Sequence, residues 1–236
     1  MNTIYSITNE DLIKLKESRT PTLIKNGLKY FPKLKKWNKD YIIEKYGELT
    51  CWYSNDARPA YYNLTTTYKE FFNNLSNENY TFTRKPRLSR LKKDSGLVNN
   101  PNTDNNDFIQ DLTFPNPLFT ELEIRFLQFF AGPKKSGALP HAHGQVLNIM
   151  VYGRKKWIFF DGEADVAKNL VDGYAKNYPT KSQWGDWYDS EYSNLTSVIP
   201  VIECIQEQDD IVFIPKNYVH TVLNLQDTMG VVIEIF

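Results

Sequence analysis

Every imidazole in this chain lies in one of two short apolar stretches. His141 and His143 form an H-x-H pair in GALPHAHGQVLNIMVYGRKKWIFF, which runs from Gly137 to Phe160, and His220 stands in FIPKNYVHTVLN. Residues i and i+2 of a β-strand project from the same face, so HAHGQVLNIMVY, read as one strand, aims both imidazoles at one side. A third ligand must then come from a distant strand that crosses nearby, and His220 is the remaining histidine. The strands and turns read after Phe108 suit a barrel-like remainder, closed so that few edges remain. Imidazole suits iron, zinc, nickel or copper. Three imidazoles are a neutral set and lack the anionic charge that a carboxylate supplies.

The apolar pattern agrees with that architecture from Phe108 onward. LEIRFLQFFAG (Leu122 to Gly132) reads as a strand, GPKKSGALP as a loop, HAHGQVLNIMVY as a strand, Gly153-Arg154 as a tight turn and KKWIFF as the returning strand. VIECIQEQDDIVFIP reads as strand, turn and strand, and HTVLNL and MGVVIEIF close the sheet. Residues 161–197 hold WGDWYDSEY, an insertion rich in Trp and Tyr with helical or irregular character.

The preceding residues carry more helix signals. Residues 1 to about 20 read as a helix capped by Thr8 or Asn9, with Leu12, Ile13 and Leu15 as its apolar stripe. PTLIKNGL is a short strand ending in the turn Asn26-Gly27. A helix starts at about Asn38 and stops at Gly47, LTCWYS is a strand, and Thr65 to Asn77 is a Thr-capped helix. The expected organisation is one domain over 1–236, with a helix and strand elaboration over 1–107 and a jelly-roll core over 108–236. NNPNTDNND (Asn99 to Asp107) is a polar loop inside it.

Composition narrows the partners. The 15 Tyr and 14 Phe favour β structure, and the zero net charge gives no general pull toward nucleic acid or membrane. No apolar run suits a signal peptide or a membrane span, so the expected location is cytoplasmic. Cys51 and Cys204 read as two reduced thiols. The basic run Arg84, Lys85, Arg87, Arg90, Lys92 and Lys93 reads either as a polyanion surface or as a solvated loop.

The second histidine motif reads D-x5-P-x-N-x2-H-x3-N, from Asp209 to Asn224. It is similar to the second cupin motif, with Asp209 and Asn217 standing at its glycine positions. Asn tolerates the left-handed backbone that such a glycine adopts. The first cupin motif has a Glu four or five residues after H-x-H, where this chain has Leu147 and Asn148. Taken together, GPKKSGALPHAHG, NIMVYGRKKWIFF and DDIVFIPKNYVHTVLNL resemble the JmjC (cupin-like) family of iron and 2-oxoglutarate oxygenases, in its small hydroxylase-type members. G-R-K-K-W-x-x-F is the most recognisable piece. PTLIKNGL, W-x-x-x-Y-I-I-E-K-Y-G and YKEFFNNL look like the family's entry segment.

The resemblance implies a mainly β, double-stranded β-helix (jelly-roll) with an α-rich N-terminal segment. It implies an Fe(II)- and 2-oxoglutarate-dependent dioxygenase that hydroxylates a C–H bond. His141, His143 and His220 would form the catalytic metal centre, with His143 at the position that is Asp or Glu in active members. Lys155 would pair with the far carboxylate of 2-oxoglutarate, with Asn148 and Asn224 as further cofactor-binding positions. Ala138 stands where members often have a Thr that bonds the cosubstrate. Trp157, Phe159, Phe129 and Phe130 either line that pocket or pack as barrel core, and WGDWY (Trp184 to Tyr188) borders its mouth. The implied substrate is a protein side chain, with a small molecule or RNA as other fits. A homodimer is a family habit. Two further functions fit the same residues: a three-histidine metal cupin acting on a small molecule, and a catalytically impaired JmjC-like binding protein.

Overall fold

The computed structural model describes residues 1–4, 8–54, 64–75, 80–82, 111, 124–160, 169, 188, 192, 197 and 199–235. The N-terminal part contributes β1 (Asn2–Ile4), α1 (Asn9–Glu17), β2 (Thr22–Ile24), α2 (Lys39–Tyr46), β3 (Thr50–Ser54), β4 (Leu64–Thr67), α3 (Tyr68–Asn73) and β5 (Tyr80–Phe82). There follow β6 (Ile124–Gly132), β7 (Gly137–His141), β8 (Gln145–Tyr152), β9 (Lys155–Phe160), β10 (Val201–Gln206), β11 (Ile211–Ile214), β12 (His220–Asn224) and β13 (Thr228–Ile235). One sheet has nine strands in the order β1-β2-β11-β8-β13-β6-β5-β3-β4, and the other has four in the order β10-β9-β12-β7. From β6 to β13 the chain changes sheet at every step except β9 to β10. That winding is a jelly-roll, and the fold is mainly antiparallel β.

Strand alternation sorts the apolar residues into three layers. Leu147, Ile149 and Val151 of β8 pack with Phe129, Val231 and Ile233 against Leu34, Trp37 and Ile42 of the N-terminal segment. Val146 and Met150, the alternate residues of β8, pack with Phe130, Trp157, Phe159 and Val232 between the sheets. Ile158 and Phe160 point the other way from β9 and pack with Leu139 and Val219. Burying each such side chain stabilises by about 1.5–3 kcal/mol. Phe129 therefore faces the helices, not the interior between the sheets, while Trp157, Phe159 and Phe130 do face it.

The N-terminal helices start where a side chain can take up a free backbone N–H. Thr8 and Asp11 form a capping box on α1, Asn38 accepts from the Tyr41 N–H on α2, and Thr67 and Glu70 cap α3. Two helix expectations need correction at their first residues. Residues 2–4 form β1, because they add in parallel to β2. Leu64–Thr67 form β4, because they pair with β3, and the helix begins only after Thr67. Both thiols are free, with Cys51 buried. Among the described residues no helix is long and apolar enough to cross a membrane.

One buried carboxylate ties the helical layer together. Asp111 is 4% exposed and accepts from Trp37 Nε1 at 3.1 Å, Tyr41 OH at 2.8 Å and Tyr46 OH at 2.7 Å. Lys36 and Lys45 reach the same carboxylate at 3.0 and 3.1 Å. Burial alone would raise its pKa, but the donors from Tyr46, Tyr41, Lys36 and Trp37 outweigh burial and hold it well below the usual carboxylate range. The polar loop over 99–107, the basic run from Arg84 to Lys93 and most of the insertion over 161–197 lie outside the described residues.

Candidate metal centre

GPKKSGALP is not all loop: its residues from Gly137 onward form β7, which pairs with β12. His141 closes that strand and His220 opens β12, and the two are direct partners in the register. His143 lies in the turn between β7 and β8. The expectation that one strand aims both imidazoles at one side is thus corrected. The pair converges because the chain turns at Ala142 to Gly144, and strand alternation plays no part. His143 is held there through its carbonyl, which accepts from the Asn217 N–H at 2.8 Å. Asn217 has φ 62° and Asp209 has φ 71°, so both residues at the cupin glycine positions adopt the left-handed backbone.

The three imidazoles form one cluster. Ring centroids lie 4.3 Å apart for His141 and His220, 4.7 Å for His143 and His220, and 5.4 Å for His141 and His143. One ligating nitrogen from each lies within 4.8 Å of the others. Each Nδ1 contacts a backbone carbonyl: His141 that of Leu139 at 2.7 Å, His143 that of Gly144 at 2.7 Å and His220 that of Tyr218 at 2.8 Å. A carbonyl only accepts, so each Nδ1 carries the proton and each Nε2 keeps its lone pair. That tautomer, fixed by a backbone oxygen behind the ring, is what a metal ligand needs.

Burial favours the neutral form of His141 and His220. Burial first, then the neighbouring His143, lowers the His141 pKa to about 3 against a bond to Leu139 that works the other way. Burial, then His141 and His143, holds His220 well below the ordinary imidazole value. The donor set fits a divalent metal ion of the first transition row, and it carries no charge of its own.

A second polar group lies deeper between the sheets. On β12 His220, Val222 and Asn224 share a face, and across the register they meet Phe159, Trp157 and Lys155 of β9. Lys155 is 1% exposed, and its ammonium lies 3.4 Å from the centroid of the Phe130 ring. Burial pushes its pKa well below the usual lysine range. Asn224 donates to Ser136 Oγ at 2.8 Å, while its Oδ1 has no hydrogen-bond partner among the described residues. Asn148, on the inward face of β8 with Val146 and Met150, also has a buried Oδ1 without a partner. Two amide oxygens without a donor are costly in an apolar interior. A bound molecule or water that donates a hydrogen bond to them would answer that cost.

Ser136, which bridges Asn224 to the Pro133 carbonyl, is a buried polar residue that the sequence reading passed over inside an expected loop. Ala138 pairs with Val222 and offers no hydroxyl at the level of the cluster. Trp157 donates its indole N–H to Gln206 at 2.8 Å, which makes it a core residue with a satisfied polar end. Of WGDWY, only Tyr188 lies within the described residues. It packs with Tyr192 against the cluster of Ile158 and Phe160, on the side of the small sheet away from the histidines.

The family profile described as "Cupin-like domain" matches residues 10–236. The lysine-specific demethylase JMJ21 of Arabidopsis thaliana is 25% identical over 242 residues, which cover 96% of this chain and 24% of that protein. The 2-oxoglutarate and iron-dependent oxygenase JMJD4 of Gallus gallus is 32% identical over 114 residues, 46% of this chain and 25% of that protein. Its namesake from Mus musculus is 29% identical over 113 residues, with the same coverage. The chain thus spans about a quarter of the length of the curated relatives it matches.

Proposed function

The chain belongs to the cupin-like domain family, and on that premise we propose that it is an Fe(II)- and 2-oxoglutarate-dependent oxygenase that hydroxylates a protein side chain. The observation that carries this reading is the pairing of two sites in one interior: three Nε2 lone pairs converging at the mouth, and a buried lysine deeper on the same face. His141, His143 and His220 would hold the iron. Lys155 would bind the far carboxylate of 2-oxoglutarate as a point-charge donor, with Asn224 and Asn148 offering amide groups beside it. Bound iron and 2-oxoglutarate would together supply the oxygenase chemistry that the JMJD4 relatives are named for. The chain's own work is positioning and exclusion of water. The backbone carbonyls of Leu139, Gly144 and Tyr218 lock the imidazole orientations. Phe130, Trp157 and Phe159 belong to the apolar layer between the sheets and would exclude water beside the bound groups. Protein substrates agree with the demethylase relative, and this chain's own substrate is part of the proposal.

A second reading rests on His143. Three neutral imidazoles without a carboxylate also fit a metal cupin that acts on a small molecule without 2-oxoglutarate. One experiment separates the two. Iron-loaded protein in air should convert 2-oxoglutarate to succinate above the rate of free iron, even without a substrate. Lys155→Ala should raise the 2-oxoglutarate concentration needed for half-maximal rate at least tenfold. Iron uptake with no consumption of 2-oxoglutarate supports the second reading. Unchanged affinity in the variant removes Lys155 from the proposed site.

A further inference from the structure

Gln206 closes β10 and is fully buried, at 0% exposed. With Ile202 and Cys204 it lies on the face of that strand that packs between the sheets. Its Nε2 donates to the Asn148 carbonyl at 2.8 Å and to the Asp210 carbonyl at 3.1 Å. A carbonyl only accepts, so the amide stands one way round, with Oε1 left as the acceptor. That oxygen takes the Trp157 indole N–H at 2.8 Å. The partners belong to β8 in the nine-stranded sheet, to the turn before β11 and to β9 in the four-stranded sheet. One side chain thus bridges the two sheets. In the register Gln206 pairs with Lys155, on the side of β9 away from Asn224. The bridge therefore stands at the level of the buried lysine.

A leucine would fill a similar volume, so packing alone does not call for an amide here. A buried amide is tolerated because its donors and its acceptor are all paired. What those bonds add is direction, and two of the partners lead to the proposed site. The Trp157 ring stacks on Phe159 at 5.8 Å and lies 5.7 Å from His220. Asn148 carries one of the buried amide oxygens without a partner, and Gln206 holds its backbone. We propose that Gln206 is a positioning residue for 2-oxoglutarate. It fixes the gap between the sheets beside Lys155, and with it the width of the space that takes the far carboxylate. It acts through Asn148 and Trp157. The proposal rests on the cosubstrate reading above.

The test follows two quantities in the same full-chain preparations. One is Fe(II) affinity by anaerobic calorimetry, and the other is the 2-oxoglutarate concentration that gives half-maximal succinate formation. Each is read well below the unfolding midpoint of the variant, so that loss of folded protein contributes nothing. Gln206→Leu should raise the 2-oxoglutarate concentration about tenfold, within what a misplaced binding group costs. It should change Fe(II) affinity less than about threefold, since it stands further from the metal than the partners behind the ligands. Trp157→Phe keeps a ring and deletes one bond of the bridge. It should raise the 2-oxoglutarate concentration about threefold, the worth of one modest hydrogen bond, and it serves if Gln206→Leu fails to fold. Both changes remove the same bond, so the double variant should need no more 2-oxoglutarate than Gln206→Leu alone. Variants that keep the wild-type 2-oxoglutarate dependence, or that lose Fe(II) and 2-oxoglutarate affinity in equal measure, overturn the proposal and leave the oxygenase reading standing. Wild-type protein that consumes no 2-oxoglutarate overturns both.

Discussion

Replacing His220 with alanine is expected to lower the affinity for Fe(II) by at least about 100-fold, because loss of a direct ligand exceeds loss of a partner behind one. His220 is 1% exposed and is the member that brings the distant strand to the cluster. Its ring also lies 5.7 Å from Trp157 and 6.1 Å from Phe159, so the variant loses packing as well. The two effects separate by comparing stability with and without metal. An ion at 100 times its dissociation constant adds about 2.7 kcal/mol to a protein that binds it only when folded. Thermal unfolding of the wild type should show that increment with Fe(II) under anaerobic conditions. The variant should unfold somewhat earlier without metal and show no increment with it. An equal increment in both proteins would mean that the ion binds elsewhere.

The second large effect is on the fold and not on the site. Asp111→Ala should cost roughly 3–5 kcal/mol, the range for removing one partner from a buried charged network. Two tyrosine hydroxyls and the Trp37 indole N–H lose their acceptor together, and Tyr46 and Trp37 are themselves buried. Lys36 and Lys45 are partly exposed and are screened by water, so they add little. The sign with pH follows from the direction of the shift. The folded state holds Asp111 as a carboxylate with its pKa depressed below the unfolded value. Its contribution is therefore fully present above the unfolded pKa of about 4 and fades as pH falls below it. Urea unfolding at pH 7 and at pH 3.5, roughly that unfolded value, should show the gap between wild type and variant narrowing on acidification. A gap that stays constant would place the stabilisation in shape and not in charge.

Most of the core strands were legible because long apolar alternations report a buried face directly. β6, β9, β10, β11, β12 and β13 fall where the pattern places them, and β8 fills the later part of HAHGQVLNIMVY, from Gln145. β7 was not legible. Gly132, Pro133, Ser136, Gly137 and Pro140 are turn residues, and Gly137–His141 becomes a strand only because β12 is there to pair with it. β1 and β4 failed for the same reason: each is short, and its pairing partner decides its conformation.

The histidines themselves were legible as a group, since the chain has just three. The way the first two meet was not. Treating H-x-H as strand alternation ignored Gly144, the residue where the chain turns away from β7. Asp209 stands at a glycine position of the second cupin motif and adopts the left-handed backbone as Asn217 does. Asp111 left no signal, because a lone acid in a polar stretch says nothing about five donors arriving from another segment.

On the proposed function, iron and 2-oxoglutarate bind together between the two sheets, at His141, His143, His220 and Lys155. The most direct measurement is an anaerobic titration with Fe(II) followed by 2-oxoglutarate. Uptake of one iron per chain is expected and, on adding 2-oxoglutarate, a weak visible metal-to-ligand charge-transfer band that Lys155→Ala shifts to higher cosubstrate concentration. Absence of iron uptake, by calorimetry and by elemental analysis alike, would contradict it.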